Sequence, residues 1–453
     1  MMRSLFSGVA GLRTHQTRMD VIGNNIANVN TTAYKSQSMT FSDLMYQTTR
    51  AASGANATTG VGGVNARQIG LGSKTGAIKT AISEPGSAQS TNDPFDIMIS
   101  GDSFFIVSNG SENFFTRDGS FYIDGAGNLA MTSNGYNVMG WLPDPDDPSN
   151  IKKDTVQALR VMNQNNMQYP PAATEQAVVS GSVDKYDPDI NSKDGKRMNL
   201  EIYDNKGYKY TVRLSVHAVD GDKGQFEVIL DDVLDEDGKS LPDDVKAKIQ
   251  LDGTALGAAA GAGVPLNYVE GDGKFSGVGQ AKDKTIQLTF GDLANFKPIT
   301  IDFSTTTNYN VNKVSTLNAE KGGLQNGNGS GRPVGDLSGI TIQKDGMIYL
   351  DYDNGQTKLV GQIAVASFAN PSGLAKEGDN LYSATMNSGE FNGIGIDITQ
   401  DGGYMESGVL EMSNVDLSAE FTQMITTQRG FQANSRIITV SDTLLEELTN
   451  LKR

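Results

Sequence analysis

Imidazole chemistry in this chain has two possible sources, His15 and His217. A Ser-His-Asp relay would need one of them. His15 falls in a stretch with helical apolar spacing, and His217 alternates with Val216 and Ala218 as a strand residue does, so both are expected to be structural. No cysteine is present, which excludes disulfides, thiolate catalysis and Cys-ligated zinc. Carboxylates for glycoside hydrolysis could come from DPDDP (144–148) or DDVLDEDGKSLPDD (231–244), but both read as solvated loops. DYDNG (351–355) and DEDG (235–238) are acidic turns without the closing Glu of a calcium loop, so hairpin turns are expected there. GVGGVNARQIG (60–70) follows no predicted strand and lacks the lysine of a phosphate loop. Met412 and Met424 are more consistent with packing than with a cofactor site. No catalytic, cofactor-binding or metal residue is assigned, no cofactor is expected, and the chain reads as a non-enzyme.

Its regularity lies elsewhere, at the two ends. Leu5, Val9, Leu12, Gln16, Met19, Gly23 and Ile26 follow the 4-3-4-3-4-3 spacing of a heptad seam. Leu417, Phe421, Met424, Gln428, Phe431, Ser435 and Ile438 repeat it, and the stripe then shifts to Leu444, Leu448 and Leu451. Both seams carry Gln in the fourth slot and Gly or Ser in the sixth. Helices of this length are marginal alone in water. These two therefore need a partner, either each other within one chain or further copies. VIGNNIANVNTTAYK (21–35) follows the first seam with short amides and hydroxyls that cap a helix and turn the chain.

Between the ends the pattern is β. The segment 36–75, including TTRAASGANATTGVGGVNARQIGLGSKTG, is rich in small polar residues and is expected to be extended, ordered by a partner. From 76 to 145, Asn109-Gly110, Asp118-Gly119, Asp124-Gly125 and Asn134-Gly135 separate short aromatic and aliphatic runs, a hairpin signal. Tyr208, Tyr210, Val212, Leu214 and Val216 alternate in the middle, as do Ile286, Leu288 and Phe290, and GTALGAAAGAGVPL (253–266) reads as a loop. Residues 336–403, including ITIQKDGMIYLDYDNGQTKLVGQIAVASF, return to the hairpin texture of 101–141. The fold class expected is α+β and multi-domain, with a terminal α-helical coiled coil enclosing nested β-rich domains. The expected division is 1–33 plus 405–453 (helical), 34–75 (connector), 76–145 plus 336–404 (inner β domain) and 146–335 (one or two outer β domains).

Composition narrows the partners. The net charge is −16, from 53 acidic against 37 basic residues. That argues against nucleic acid or an anionic membrane surface, which need clustered Lys and Arg. No apolar run reaches the ~20 residues of a transmembrane helix, so no membrane insertion is expected. MMRSLFSGVAGLRTHQ lacks the apolar core of a Sec-type signal peptide, so any export is expected to use another route, without a cleaved signal. The 453 residues suggest about three domains.

SGVAGLRTHQTRMDVIGNNIANVNTTAYK (7–35) resembles the N-terminal signature of the bacterial flagellar axial proteins, the rod and hook family. SGVLEMSNVDLSAEFTQMITTQRGFQANSRIITVSDTLLEELTNLKR (407–453) resembles their C-terminal signature, and FFIVSNGSENFFTRDGSFYIDGAGNL (104–129) their shared β domain. The large middle insertion is more similar to the hook members than to the distal-rod members. The resemblance implies a structural subunit of the hook, self-assembling into a curved helical tube that acts as a flexible universal joint between rod and filament. The alternatives are a distal rod protein of the flagellar basal body or, from the β-rich middle alone, a secreted adhesin. It further implies export through the flagellar type III apparatus, an extracellular place in the hook, and contacts with itself, the distal rod protein, the hook cap and the hook–filament junction proteins. The self-assembly interface expected from the seams and this resemblance comprises Leu5, Val9, Leu12, Met19, Ile22, Asn25, Ile26, Asn28, Leu417, Phe421, Met424, Phe431, Ile438, Leu444 and Leu448.

Overall fold

A computed structural model describes residues 2–54, 60, 62–259, 261–293, 295–325 and 327–451. Parts of two expected features, 55–59 and 61 of the connector and 260 of the Ala/Gly stretch, lie outside the described residues. The chain is β-rich with a helix at each end, Met2–Ala27 and Leu417–Asn450. It divides into two compact units, one holding 1–163, 340–350 and 358–453, the other 164–339 and 351–357.

In the first unit the two arms of the chain share one sheet. Phe104–Ser108 pairs with Asn113–Thr116, with Asn137–Trp141 and with Val365–Ala366. Asn137–Trp141 continues to Thr357–Ile363, and Asn113–Thr116 to Leu381–Ser383. The apolar side chains of these runs close a core in which the Phe115 ring meets Phe368 edge-on at 4.7 Å and Phe391 at 5.3 Å. The Trp141 indole donates to the carbonyls of Asp154 and Ile394. Two short ladders lead out of this core toward the C-terminal helix: Ile97–Ser100 with Tyr404–Ser407, and Ala88–Ser90 with Val409–Glu411.

The 36–75 stretch is a β ribbon. Gln37–Asp43 pairs antiparallel with Ser73–Thr80, and Tyr46–Arg50 with Arg67–Gly70. A two-stranded ribbon is marginal by itself, and this one lies on the N-terminal helix. Gly72, at φ +121°, brings its backbone within van der Waals reach of Ser7 and Ala10, where a Cβ would stand 3.1 Å from that of Ala10. The partner that orders the ribbon is thus in the same chain.

The second unit stacks a five-stranded sheet on a six-stranded one around a single core. Val212, Leu214 and Val216 alternate into that core as expected, while Tyr208 stays exposed one residue before its strand, Lys209–Asp220. Gln176–Ser182 and Ile299–Thr307 pair parallel, a long-range contact that local turn signals do not reveal.

The hairpin signals resolve unevenly. Gly110 and Gly135 take positive φ as Asn-Gly turns predict, but Gly119 and Gly125 do not. In the 124–128 turn the left-handed residue is Gly127, at φ +86°, and the Asp124 carboxylate organises the loop by accepting from the amides of Ala126 and Asn128. A Cβ on Gly127 would run into the Met162 carbonyl, whereas one on Gly125 would meet open space. Gly127→Ala should therefore destabilise the first unit by about 2–4 kcal/mol. Gly125→Ala should stay within about 0.5 kcal/mol. Thermal unfolding of both variants checks the contrast.

Candidate self-assembly surface at the paired termini

The terminal helices run antiparallel against each other. Gly8 lies beside Ile438, where a Cβ would be 3.4 Å from its Cγ1, and Gly11 beside Asn434, at 2.6 Å from its Nδ2. A Cβ on Gly430 would fall 2.7 Å from the His15 ring. Further along, Arg18 donates to the Gln423 carbonyl oxygen at 3.3 Å, and Asn25 to Glu420 Oε1 at 2.9 Å. The facing positions are thus 8, 11, 15, 18 and 25 on one helix and 420, 423, 430, 434 and 438 on the other. Most of them are small or polar, so the helices approach through missing side chains rather than interlocked apolar ones.

That seam is not the heptad stripe. One residue step turns a helix by about 100°, and most of the facing residues sit one position before the stripe. The stripe is consequently rotated about a quarter turn away from the partner helix. Leu5, Leu12, Met19, Ile26, Met424, Phe431 and Ile438 are half-buried along the seam's flank. Val9 is 40% exposed, Leu417 38%, Phe421 50%, Leu444 45% and Leu448 49%. Asn28 is half-buried, and Ile22 and Asn25 are packed inside the chain, away from any open face. Asn25 apart, the small and polar positions of the real seam were not named as interface from the sequence, although their 3-4 spacing is present one step from the apolar one.

The short amides of 21–35 build the joint from which both helices spring. Asn25, fully buried, donates from Nδ2 to the Gln37 carbonyl and to Glu420, and its Oδ1 accepts from the Gln37 amide and the Tyr34 hydroxyl. Asn28 bonds back to Asn24 and accepts from Thr31. Across the joint Asn414 accepts from the Ser36 amide and donates to the carbonyls of Ala81 and Glu84. Asp416 caps the C-terminal helix by accepting from the amides of Ser418 and Ala419. Beneath lies a buried ion pair: Lys35 Nζ to Glu411 Oε1 at 2.7 Å, with side-chain exposures of 1% and 2%. Lys35 also donates to the Glu84 carbonyl, and the Gly86 amide to the same Glu411 oxygen. Burial pushes the Lys35 pKa down, and the Glu411 carboxylate works against that. Burial likewise lowers that of Arg117, whose guanidinium donates to the Ile99 and Gly101 carbonyls.

The chemistry weighed from sequence resolves into structure. His15 packs at the helix seam against Gly430, with Phe41 of the ribbon at 5.4 Å. In the second unit Ser215 donates to Asp231 at 2.7 Å and lies 3.1 Å from His217 Nε2. The hydroxyl stands between carboxylate and imidazole, the reverse of a relay in which the imidazole bridges, and Ser215 is fully buried. Asp235 accepts from the Lys239 amide within its own turn, and Asp353 from the Asp336 amide of the neighbouring strand Gly335–Ile342, so both acidic turns are tied into the β structure. Among the described residues no three His, Asp or Glu side chains are grouped to hold a metal.

Comparison with known proteins points one way. Residues 5–35 match the profile of the flagella basal body rod protein family, 98–180 that of the flagellar hook protein FlgE/F/G D1 domain, and 406–451 that of the flagellar basal body rod FlgEFG protein C-terminal region. The chain is 33% identical over 482 residues to the flagellar hook protein FlgE of Treponema pallidum, and 34% over 462 to that of Borreliella burgdorferi, with 100% of both partners covered in each case. It is also 29% identical over 453 residues to the flagellar basal-body rod protein FlgG of Bacillus subtilis, again with full coverage of both. A relative named as a rod protein can therefore match across the middle insertion too, and the insertion alone does not separate hook from rod.

Two outcomes follow from the joint and the seam. Lys35→Met, which leaves the Glu411 carboxylate buried without its cation, should cost about 3–5 kcal/mol, and adding Glu411→Leu should recover part of the loss. Denaturant unfolding of the three variants measures this, and a single-variant cost near zero would contradict it. Burial, then Arg18, holds the His15 pKa below its ordinary 6.5. The folded chain thus binds this proton more weakly than the unfolded chain, so stability rises with pH. The contribution is complete above about pH 6.5 and is lost as pH falls toward the lowered value. Helix pairing followed by circular dichroism should weaken over that window, and His15→Gln should flatten the dependence.

Proposed function

The chain belongs to the flagellar hook protein FlgE family, and on that premise we propose that its paired terminal helices are the polymerising part of the molecule. It is a structural subunit of the bacterial flagellar hook, exported to that place. The observation that carries the mechanism is the quarter-turn offset. The helices satisfy each other through glycines and amides, and their apolar stripe is left with Val9, Leu417 and Phe421 in water. Such a stripe is stable in a monomer only at a cost that burial against neighbours removes.

In this reading copies pack stripe to stripe into a helical homopolymer, and the helices of each copy form the coiled-coil inner wall of a tube. The functional division is then the nested one: helices 1–33 and 405–453, connector 34–75, inner β domain 76–145 with 336–404, and outer region 146–335. The tube works as a universal joint. The inner wall holds, while the acidic, Gly-rich outer surfaces slide over water-bridged contacts that re-form at small cost. The chain performs no catalysis, leaves the cell without a cleaved signal peptide through the flagellar type III export apparatus, and meets the distal rod protein, the hook cap and the hook–filament junction proteins. A rod subunit is the second reading, favoured by the Bacillus subtilis relative.

Val9→Asp and Phe421→Glu alter exposed positions, so each variant should keep its helical circular dichroism. Each should also lose tube formation by negative-stain electron microscopy, at protein concentrations where the unsubstituted chain forms tubes. Unchanged tubes would remove the stripe from the interface.

A further inference from the structure

The first unit carries two complementary apolar features at the same end of the helix pair. One is a groove of about 400 Å³ between the start of the N-terminal helix and the middle of the ribbon, where its two ladders meet, floored by Phe6, Val9, Leu44, Met45 and Leu71 and rimmed by Arg3 and Arg13. Phe6 is 64% and Met45 77% exposed. The other is the end of the C-terminal helix. Ile438 lies beside Gly8, six residues from Met2, so in an antiparallel pair the helix beyond about 444 projects past the start of its partner. Leu444, Leu448 and Leu451 line one side of that overhang, and Glu446 and Glu447 stand exposed beside them.

We propose that the leucine overhang of one copy docks into the Phe6–Met45–Leu71 groove of a second copy, with Glu446 and Glu447 facing Arg3 and Arg13. This rests on the polymer reading above and names one of its contacts. Three observations single out a second copy as occupant. The overhang supplies a row of large apolar side chains at helical spacing, the shape a groove between a helix and a ribbon accepts. Glu446 and Glu447 beside its leucines are opposite in sign to Arg3 and Arg13 of the rim. And the overhang points away from its own chain's groove. Groove and overhang are different patches, so the contact is heterologous. A heterologous contact that does not close on itself extends into a helical array.

The natural absence of cysteine makes the test clean. Chains carrying Met45→Cys are mixed with chains carrying Leu448→Cys, assembled, and oxidised; Leu444→Cys and Leu451→Cys replace the latter in turn, since a disulfide requires Cα atoms within about 7 Å. A mixed cross-linked dimer should dominate when the assembled sample is oxidised and should not form when the same mixture is diluted to monomer before oxidation. Met386→Cys, on a fully exposed side chain, should give no such enrichment in place of Met45→Cys. In parallel, Arg3→Glu with Arg13→Glu should slow assembly at low salt by about tenfold or more, and Glu446→Lys with Glu447→Lys in the same chain should restore it. Tubes that form normally without the cross-link and without sensitivity to the charge reversal overturn this contact and leave the polymer reading standing. A cross-link that forms within one doubly substituted chain at high dilution also overturns it. Failure of the unsubstituted chain to form tubes at all overturns both.

Discussion

Everything at the ends of this chain depends on how closely two helix backbones can approach. At Gly11 and Gly430 a Cβ would run into the side chains of Asn434 and His15, while at Gly8 it would just reach contact with Ile438. Contact there is made by backbone and by small or polar side chains, at a cost of about 1 kcal/mol per helical glycine relative to alanine. Apart from Ile438, which lies beside Gly8, the apolar residues one step away turn aside from the partner. The same arrangement that pairs the helices inside a copy therefore leaves a stripe outside it. In the polymer proposed above, assembly would use a different side of the two helices from the one that pairs them.

The close pair needs a fixed base, and the buried joint at 24–37 and 411–420 supplies it. Asn25 uses both ends of its amide on three elements at once: its own turn, the ribbon and the C-terminal helix. Beneath it the Lys35–Glu411 pair ties the chain's outgoing and returning strands with hydrogen bonds to backbone on each side. A buried pair is weak evidence for stability in itself. Its effect here is geometric, because it fixes Lys35, Glu411 and the backbone of Glu84 and Gly86 to one another in a dry site.

The sequence disclosed periodic features and hid long-range ones. Two terminal helices, a β-rich interior and the alternation of Val212, Leu214 and Val216 were legible, because each is a repeat over a few residues. The ribbon at 37–80 was not, because its strands are exposed and polar and are held by a helix that sequence spacing does not place beside them. Nor was the true helix seam, because an apolar stripe is the louder signal and glycines at 3-4 spacing read as interruptions. Asn25 shows the same limit from the other side. The sequence reading placed it in the self-assembly interface, and the fold shows that it is enclosed within its own chain.

The most direct measurement is a helical reconstruction, by electron cryomicroscopy, of tubes assembled from the full-length chain, at a resolution that places side chains. The account predicts that Gly8, Gly11 and Gly430 still face the partner helix of their own copy, while Val9, Leu417 and Phe421 are buried against neighbouring copies. A tube in which the helices of one copy have rotated to bury the stripe between themselves, or in which the stripe faces solvent, would contradict it.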